Sequence, residues 1–262
     1  MIKNKIQNKL MRLITRFKFS RNLAISLLKK NPVIYRTENS FFSLDVNNFV
    51  DEINQNGFST TFKIPKKSLN ELIRYCNHTE FVGQNHKQKV KIDYKNPTLP
   101  DHQEDLWYLD TSIYKNCKEA YNLSHNKDLV NIAASYLGRE PKLQSIHAWW
   151  SFPPKDKSYV HNYGFHYDID SYKFVKFFIY LTDVDDESGP HVIIAKTHKR
   201  KTWFQKLNRR LSDKQAQEKF KKEDINVMLG KAGEGFFEDT FSYHKGTTPH
   251  KPRLIFQVEY SI

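Results

Sequence analysis

The chain is expected to adopt an α+β fold, with helices first and a sandwich or jelly roll of short strands after them. Two observations predict this. Before residue 140, apolar residues recur at helical spacing in segments such as "VNNFVDEINQN" and "DLVNIAASYL". Beyond Pro141 the texture changes to "KLQSIHAWWSF", "FVKFFIYLTDV", "HVIIAK", "GEGFFEDT" and "RLIFQVEY", short β-branched and aromatic runs bounded by Gly, Pro or Asp. Strand runs at that density, following the helices instead of alternating with them, fit a core made of packed sheets.

The first segment, "MIKNKIQNKLMRLITRFKFS", places Ile2, Ile6, Leu10, Leu13, Ile14 and Phe17 on a helical stripe flanked by lysines. Such a helix either packs on the domain or a second copy, or lies on an anionic membrane as a basic amphipathic helix. Residues 1–40 therefore read as a basic helical extension and residues 41–262 as the main domain. "LDVNNFVDEINQNGF" reads as a helix with Asp45 as N-cap and Gly57 just past its end. "PKKSLNELIRYCN" opens at Pro65 in the favoured first-turn position, and "NKDLVNIAASYLGRE" stops at Gly138. Residues 80–105 are polar and punctuated by proline, and read as a long loop near a functional mouth. The stretch "KRKTWFQKLNRRLSDKQAQEKFKK", residues 199–222, lies between two strand runs and predicts a helical insertion over 199–227. Trp203, Leu207 and Leu211 recur there every four residues beside Phe204, giving one apolar face on a cationic helix.

Composition narrows the class. The chain has 262 residues, 39% apolar and 14% aromatic, enough for a real core and against global disorder. Its two cysteines, Cys76 and Cys117, indicate no disulfide framework and suit a reducing compartment. The net charge of +13 is unevenly placed: residues 1–30 hold nine Lys or Arg and no acid, and residues 199–222 hold ten against Asp213 and Glu218. Removing those +9 and +8 contributions leaves −4 for the rest, so basicity belongs to two segments and no specific nucleic-acid partner is expected. No run approaches the ~18 apolar residues of a membrane span. With no signal-peptide pattern at the N-terminus, the expected location is cytoplasmic, with peripheral contact at the inner face of the membrane through residues 1–30.

"FHYDID", residues 165–170, carries the chemistry. His166 and Asp168 are two apart, and in an extended segment such residues point to one side, where both reach one ion. A third ligand must come from elsewhere, with His191, His198, His244 and His250 as candidates. His244 stands out, because it follows "GEGFFEDTFSY" and precedes "KGTTPHKPRLIFQVEY". Two imidazoles and a carboxylate on one face of Fe(II) leave three positions open, two for a bidentate 2-oxo acid and one for O2. The far carboxylate of that co-substrate needs a buried cation, and Arg253, nine residues after His244, offers a planar bidentate fork. His147, His161 and His250 read as ordinary residues. Trp149 and Trp150 alternate across a strand, one toward the core and one toward a pocket mouth. Trp150 is taken as a substrate candidate, and Gln144 on the same strand as a candidate cofactor-pocket residue.

The ordered set "FHYDID…FFIYLTDVDDESGPHVIIAKTHK…GEGFFEDTFSYHKGTTPHKPRLIF" resembles the phytanoyl-CoA dioxygenase family of Fe(II)/2-oxoglutarate oxygenases. The resemblance covers residues 140–260 well and the N-terminal third loosely. It implies a double-stranded β-helix, an iron triad of His166, Asp168 and His244, and Arg253 as the 2-oxoglutarate anchor. Two departures stand out. Ala195-Lys196-Thr197 occupies the family's P-G-S position, which alters one turn. Gly246 lies where some members carry a hydroxyl, so Thr247 or Thr248 would substitute.

The resemblance implies a dioxygenase that hydroxylates a small or carrier-linked metabolite, anionic in one version, and releases succinate and CO2. A carboxylate at Asp168 counts against halogenation. Arg209 and Arg210 in the insertion are candidates for holding an anionic substrate group beneath a helical lid. The competing reading is a non-catalytic basic binding module on an oxygenase-like scaffold, contacting membrane or nucleic acid through the two basic segments.

Overall fold

The computed structural model describes residues 2–28, 32–35, 43–84, 88–99, 105–109, 113–154 and 164–262, except the side chains of residues 2–6 and Tyr114. His161 lies outside the described residues.

The predicted caps act where the residues place them. Helix α3 (Val46–Asn56) starts at Asp45, whose side chain accepts from the Asn48 N–H. It ends at Gly57 in the left-handed region, φ 93°. A Cβ at Gly57 would meet Ser242 Oγ at 2.4 Å, so close approach as well as the turn demands glycine. Helix α4 (Lys66–His78) begins one residue after Pro65, which is its N-cap and not its first turn. Helix α7 (Lys127–Leu137) is capped by the Asn126 side chain and stops at Gly138, φ 73°. The stretch 80–105 is not simply a loop: strands β2 (Glu80–Gly83) and β3 (Lys89–Lys91) pair as a hairpin and, with β4 (Leu106–Leu109), extend a sheet. Cys76 and Cys117 are both free and buried.

The remaining strands are β1 (Phe62–Lys63), β5 (Lys142–Ser151), β6 (Phe165–His166), β7 (Phe174–Tyr180), β8 (His191–Ile194), β9 (Arg210–Leu211), β10 (Ile225–Met228), β11 (Glu234–Glu238), β12 (His244–Gly246) and β13 (Arg253–Ser261). Among the described residues they form two antiparallel sheets. The larger has the order β1-β11-β7-β13-β5-β4-β2-β3, and the smaller β10-β8-β12-β6-β9. This is a mixed α/β jelly roll.

Period-2 alternation decides what each face does. Along β13, Leu254, Phe256, Val258 and Tyr260 join the helix-side core with Phe49, Ile53, Leu72 and Leu129, while Ile255 turns the other way. Ile255 meets Phe178, Tyr180, Phe236, Ile193 and Met228, so this cluster lies between the two sheets. A third cluster, Phe165, Tyr167, Val192, Ile194, Leu211, Phe241 and Tyr243, covers the outer face of the smaller sheet. The larger sheet is thus buried on both faces, which is why β7 (FVKFFIY) reads as a continuous apolar run.

The basic N-terminal segment forms two helices, α1 (Ile2–Thr15) and α2 (Lys18–Leu27). Its packing face differs from the expected stripe: Met11 packs on the outer cluster and Thr15 is buried, whereas Leu10 and Leu13 are more than half exposed. The insertion is also not one helix. Helix α8 (Trp203–Leu207) ends at Asn208, and residues 210–211 form β9. Helix α9 (Asp213–Lys219) follows, and 225–227 already belong to β10. Thr202 and Ser212 each build a capping box with the Gln three residues on, so two starts are written into this stretch and Leu211 is buried between them. No described helix is long and apolar enough to cross a membrane.

Candidate metal and co-substrate site

Residues 165–170 alternate between buried and half-buried: Phe165, Tyr167 and Ile169 enter the outer cluster, and His166, Asp168 and Asp170 face the opposite way. The Tyr167 hydroxyl donates to Lys206 O, and the Asp168 N–H donates to Thr240 O, 2.8 Å each. The segment is therefore pinned from both sides. His244 pairs directly with His166 across the smaller sheet, bringing residues 78 positions apart in sequence into register.

One potential ligand atom from each of His166, Asp168 and His244 lies within 4.8 Å of the others. His166 Nε2 is 4.0 Å from Asp168 Oδ1, and His244 Nε2 is 3.7 Å from Asp168 Oδ2. Each imidazole has Nδ1 3.0 Å from a backbone carbonyl, Gly164 O for His166 and Ser242 O for His244. A carbonyl only accepts, so Nδ1 carries the proton and each Nε2 offers its lone pair to the centre. Burial holds the His244 imidazole down at about 4, so it stays neutral at neutral pH. The donor set, two imidazole Nε2 atoms and a carboxylate on one side of a cavity, fits a divalent first-row metal with open positions.

The carboxylate is tethered by a buried cation. Lys176 Nζ lies 2.8 Å from both Asp168 Oδ2 and Asp170 Oδ2, and 3.9 Å from Glu259 Oε2. Burial opposes its charge, yet the carboxylates of Asp168, Asp170 and Glu259 hold the lysine pKa above its ordinary value. Burial likewise disfavours the charge on Asp168, and the Lys176 ammonium beside it outweighs burial and holds the carboxyl below its ordinary value. Beneath the triad, His191 Nε2 sits 2.7 Å from Glu238 Oε2, and His191 stacks on His244 at 5.3 Å. Burial drives both members of that pair toward neutrality, with Glu238 raised to about 7 and His191 lowered to about 3, the latter helped by the Arg253 charge.

A cavity of about 380 Å³ opens on the triad. Arg253 lines it and is 4% exposed, donating to Gly189 O and, at 3.3 Å, to Ser151 Oγ. Gly246 also lines it, and a Cβ there would stand 3.4 Å from Arg253 Nη2, so this glycine keeps space beside the guanidinium. Gly189, φ 69°, is pressed against Thr247 O, where a Cβ would come within 2.6 Å.

Not every candidate reaches this cavity. The Thr247 hydroxyl donates to Pro190 O instead, and neither Thr247 nor Thr248 is on the lining; Ser151 is the hydroxyl facing Arg253. Gln144 is exposed and meets Ser261 at the far end of β5. Trp150 is 1% exposed within the helix-side core, and its neighbour Trp149 lines the cavity with Tyr108. His147, read as ordinary, also lines it, as does Gln257. Arg210 lines the cavity; Arg209 does not, and its carbonyl accepts from the Tyr167 N–H. Tyr243 donates to Gln205 O and Asn208 O, so α8 packs behind the smaller sheet and forms no lid over the mouth. His198 is held at Asn54 O, away from the centre.

No protein-family model and no curated protein matches the chain. Solved structures do resemble it. HygX from Streptomyces hygroscopicus with nickel and 2-oxoglutarate bound aligns with a TM-score of 0.59 at 11% identity, over 84% of this chain and 87% of that one. The epimerase SnoN in complex with Fe3+, alpha ketoglutarate and nogalamycin RO aligns at 0.56 and 12% identity, covering 82% of each chain. EvdO2 from Micromonospora carbonacea var. aurantiaca, complexed with 2-oxoglutarate, aligns at 0.54 and 13% identity, over 85% and 93%. At these identities the likeness establishes the fold.

Proposed function

We propose that the chain is an Fe(II)- and 2-oxoglutarate-dependent dioxygenase that hydroxylates a small or carrier-linked metabolite. The observation that carries this reading is the convergence of His166, Asp168 and His244 within 4.8 Å on the wall of a cavity that also exposes Arg253. His166 and His244 would hold the metal through Nε2. Asp168 would add its carboxylate, with Lys176 keeping it ionised and oriented through Oδ2. Arg253, paired with Ser151, would receive the distal carboxylate of 2-oxoglutarate. The bound metal supplies O2 activation coupled to oxidative decarboxylation of the co-substrate, giving succinate and CO2. Trp149 and Tyr108 offer an apolar wall to substrate, and Arg210 on the same cavity favours an anionic substituent.

The structural neighbours support the cofactor pair, since HygX and SnoN were crystallised with metal and 2-oxo acid. They also show why the chemical outcome needs its own test, because SnoN is an epimerase on the same scaffold. A complete donor set and a buried arginine count against a decayed, purely binding role.

Anaerobic calorimetry with Fe(II), then with 2-oxoglutarate, tests the assignment. Wild-type protein should bind one equivalent of each and form succinate when O2 is admitted. His166→Ala and His244→Ala should lose the metal, and wild-type metal affinity in either variant would remove that residue from the site. Gain of one oxygen atom by the eventual substrate would establish hydroxylation.

A further inference from the structure

We propose that the face formed by α1, α2 and α8 seats this protein on an anionic lipid bilayer. The inference stands on that face alone and is independent of the metal reading.

The fold unites two segments that are at least 169 residues apart in sequence and together carry all of the excess positive charge. Residues 1–30 hold nine Lys or Arg with no acid, residues 199–222 hold ten with two acids, and the rest of the chain is net acidic. They meet at Phe17 and Trp203, whose ring centroids are 4.9 Å apart, with Lys206 Nζ 5.9 Å from the Phe17 ring. The helices are anchored from behind: Arg21 lies 4.9 Å over the Phe241 ring, and Arg139 donates to Ile25 O at 2.5 Å. The contact is therefore part of the folded domain.

Docking leaves apolar side chains outside. On α2, Phe19, Leu23 and Leu27 follow one another at four-residue spacing and are 83%, 51% and 78% exposed. On α8, Trp203, Phe204 and Leu207 are 66%, 58% and 46% exposed. Neither set packs on the jelly roll, and exposed Lys9, Arg12, Lys18 and Lys199 surround them in sequence. Large apolar side chains set among cations are the chemistry of a helix lying in a bilayer interface, with headgroups taking the charges and the acyl boundary taking the rings and leucines. A second copy would bring cation against cation. A nucleic acid would neutralise the lysines and give Leu23 and Leu27 no apolar partner. A bilayer answers both features, and an exposed tryptophan suits its interface.

The test uses the full chain with vesicles of phosphatidylcholine alone and with about one-third phosphatidylglycerol, followed by co-sedimentation and tryptophan emission. Trp107 and Trp150 are buried at 1% exposure and Trp149 lines the cavity, so the part of the signal that Trp203→Phe removes is the Trp203 report: that part should shift to the blue and be quenched by brominated acyl chains. Binding should be at least about tenfold tighter to the anionic vesicles and should weaken as salt rises from about 0.1 M to 0.5 M. Phe19→Ser/Leu23→Ser/Trp203→Ser should lower partitioning about tenfold or more with an unchanged unfolding transition, since burying such side chains supplies the apolar part. Lys9→Glu/Lys18→Glu should do the same through charge. The proposal fails if anionic vesicles are not bound, or if both variants bind like wild type. It also fails if the apolar variant instead abolishes a concentration-dependent dimer seen without lipid, or if single-stranded DNA displaces the protein from vesicles and shifts Trp203 equally.

Discussion

Lys176 Nζ stands 2.8 Å from Asp168 Oδ2 while only 7% of the lysine is exposed, so the carboxylate of the candidate site is held by a buried ammonium eight residues later on the neighbouring sheet. Asp170 and Glu259 share that cation. Replacing Lys176 with Met strands the buried Glu259 and the half-buried Asp168 and Asp170 without a counter-charge, and breaking a buried pair from one side typically costs about 3–5 kcal/mol. Urea unfolding of metal-free Lys176→Met should show a loss of that order. A loss below about 1 kcal/mol would mean that solvent screens the cluster.

Arg253 sits on the same cavity wall, held by Gly189 O and Ser151 Oγ. Arg253→Ala should leave metal binding intact and weaken 2-oxoglutarate binding about 100-fold or more, the equivalent of losing about 3 kcal/mol of a charge-assisted contact. Calorimetry on the metal-loaded variant measures this directly. A change under about threefold would transfer the role to another cation, with Lys176 the first to test.

Glu238 contributes a pH dependence of its own. Burial raises its carboxyl from an ordinary 4.5 to about 7. Between those values the folded chain keeps a proton that the unfolded chain has released, so this contribution is complete below 4.5 and is lost as pH rises through 7. Glu238→Gln removes the titration and keeps a partner for His191. In metal-free protein, the variant should gain stability relative to wild type as pH goes from 5 to 8, by on the order of 1–3 kcal/mol. A constant difference across that range would show that Glu238 ionises normally when folded.

Lys196 is the one non-glycine with positive φ among the described residues, at 66°, and stands where the resembled family has glycine. The left-handed conformation costs a side-chain-bearing residue roughly 1–2 kcal/mol, against an unfolded-state cost of glycine of roughly 0.5–1 kcal/mol. Lys196→Gly should therefore raise stability by about 0.5–1 kcal/mol, read as a higher thermal midpoint with metal binding unchanged. Destabilisation would instead assign weight to the Lys196–Asp224 ion pair at 3.6 Å.

What the sequence determined by itself is what local physics controls. Asp45, Gly57 and Gly138 end their helices because capping geometry involves only a few neighbouring residues. His166 and Asp168 share a side because strand alternation is local, and their order with His244 and Arg253 made the candidate site legible before any contact was known. Tertiary structure alone decided which side of each strand meets which layer. Alternation said that Trp149 and Trp150 part company; only the helices packed behind β5 send Trp150 into the core and leave Trp149 to the cavity. Lys176 was hidden because β7 is buried on both faces, so its run shows no alternation that would mark a polar residue as inward. The insertion's helical stripe broke at Asn208 because β9 gains hydrogen bonds from β6 that a continued helix would forgo. Phe17 met Trp203 for the same reason that His166 met His244: non-local pairing is set by the whole sheet stack, and no local pattern in the sequence encodes it.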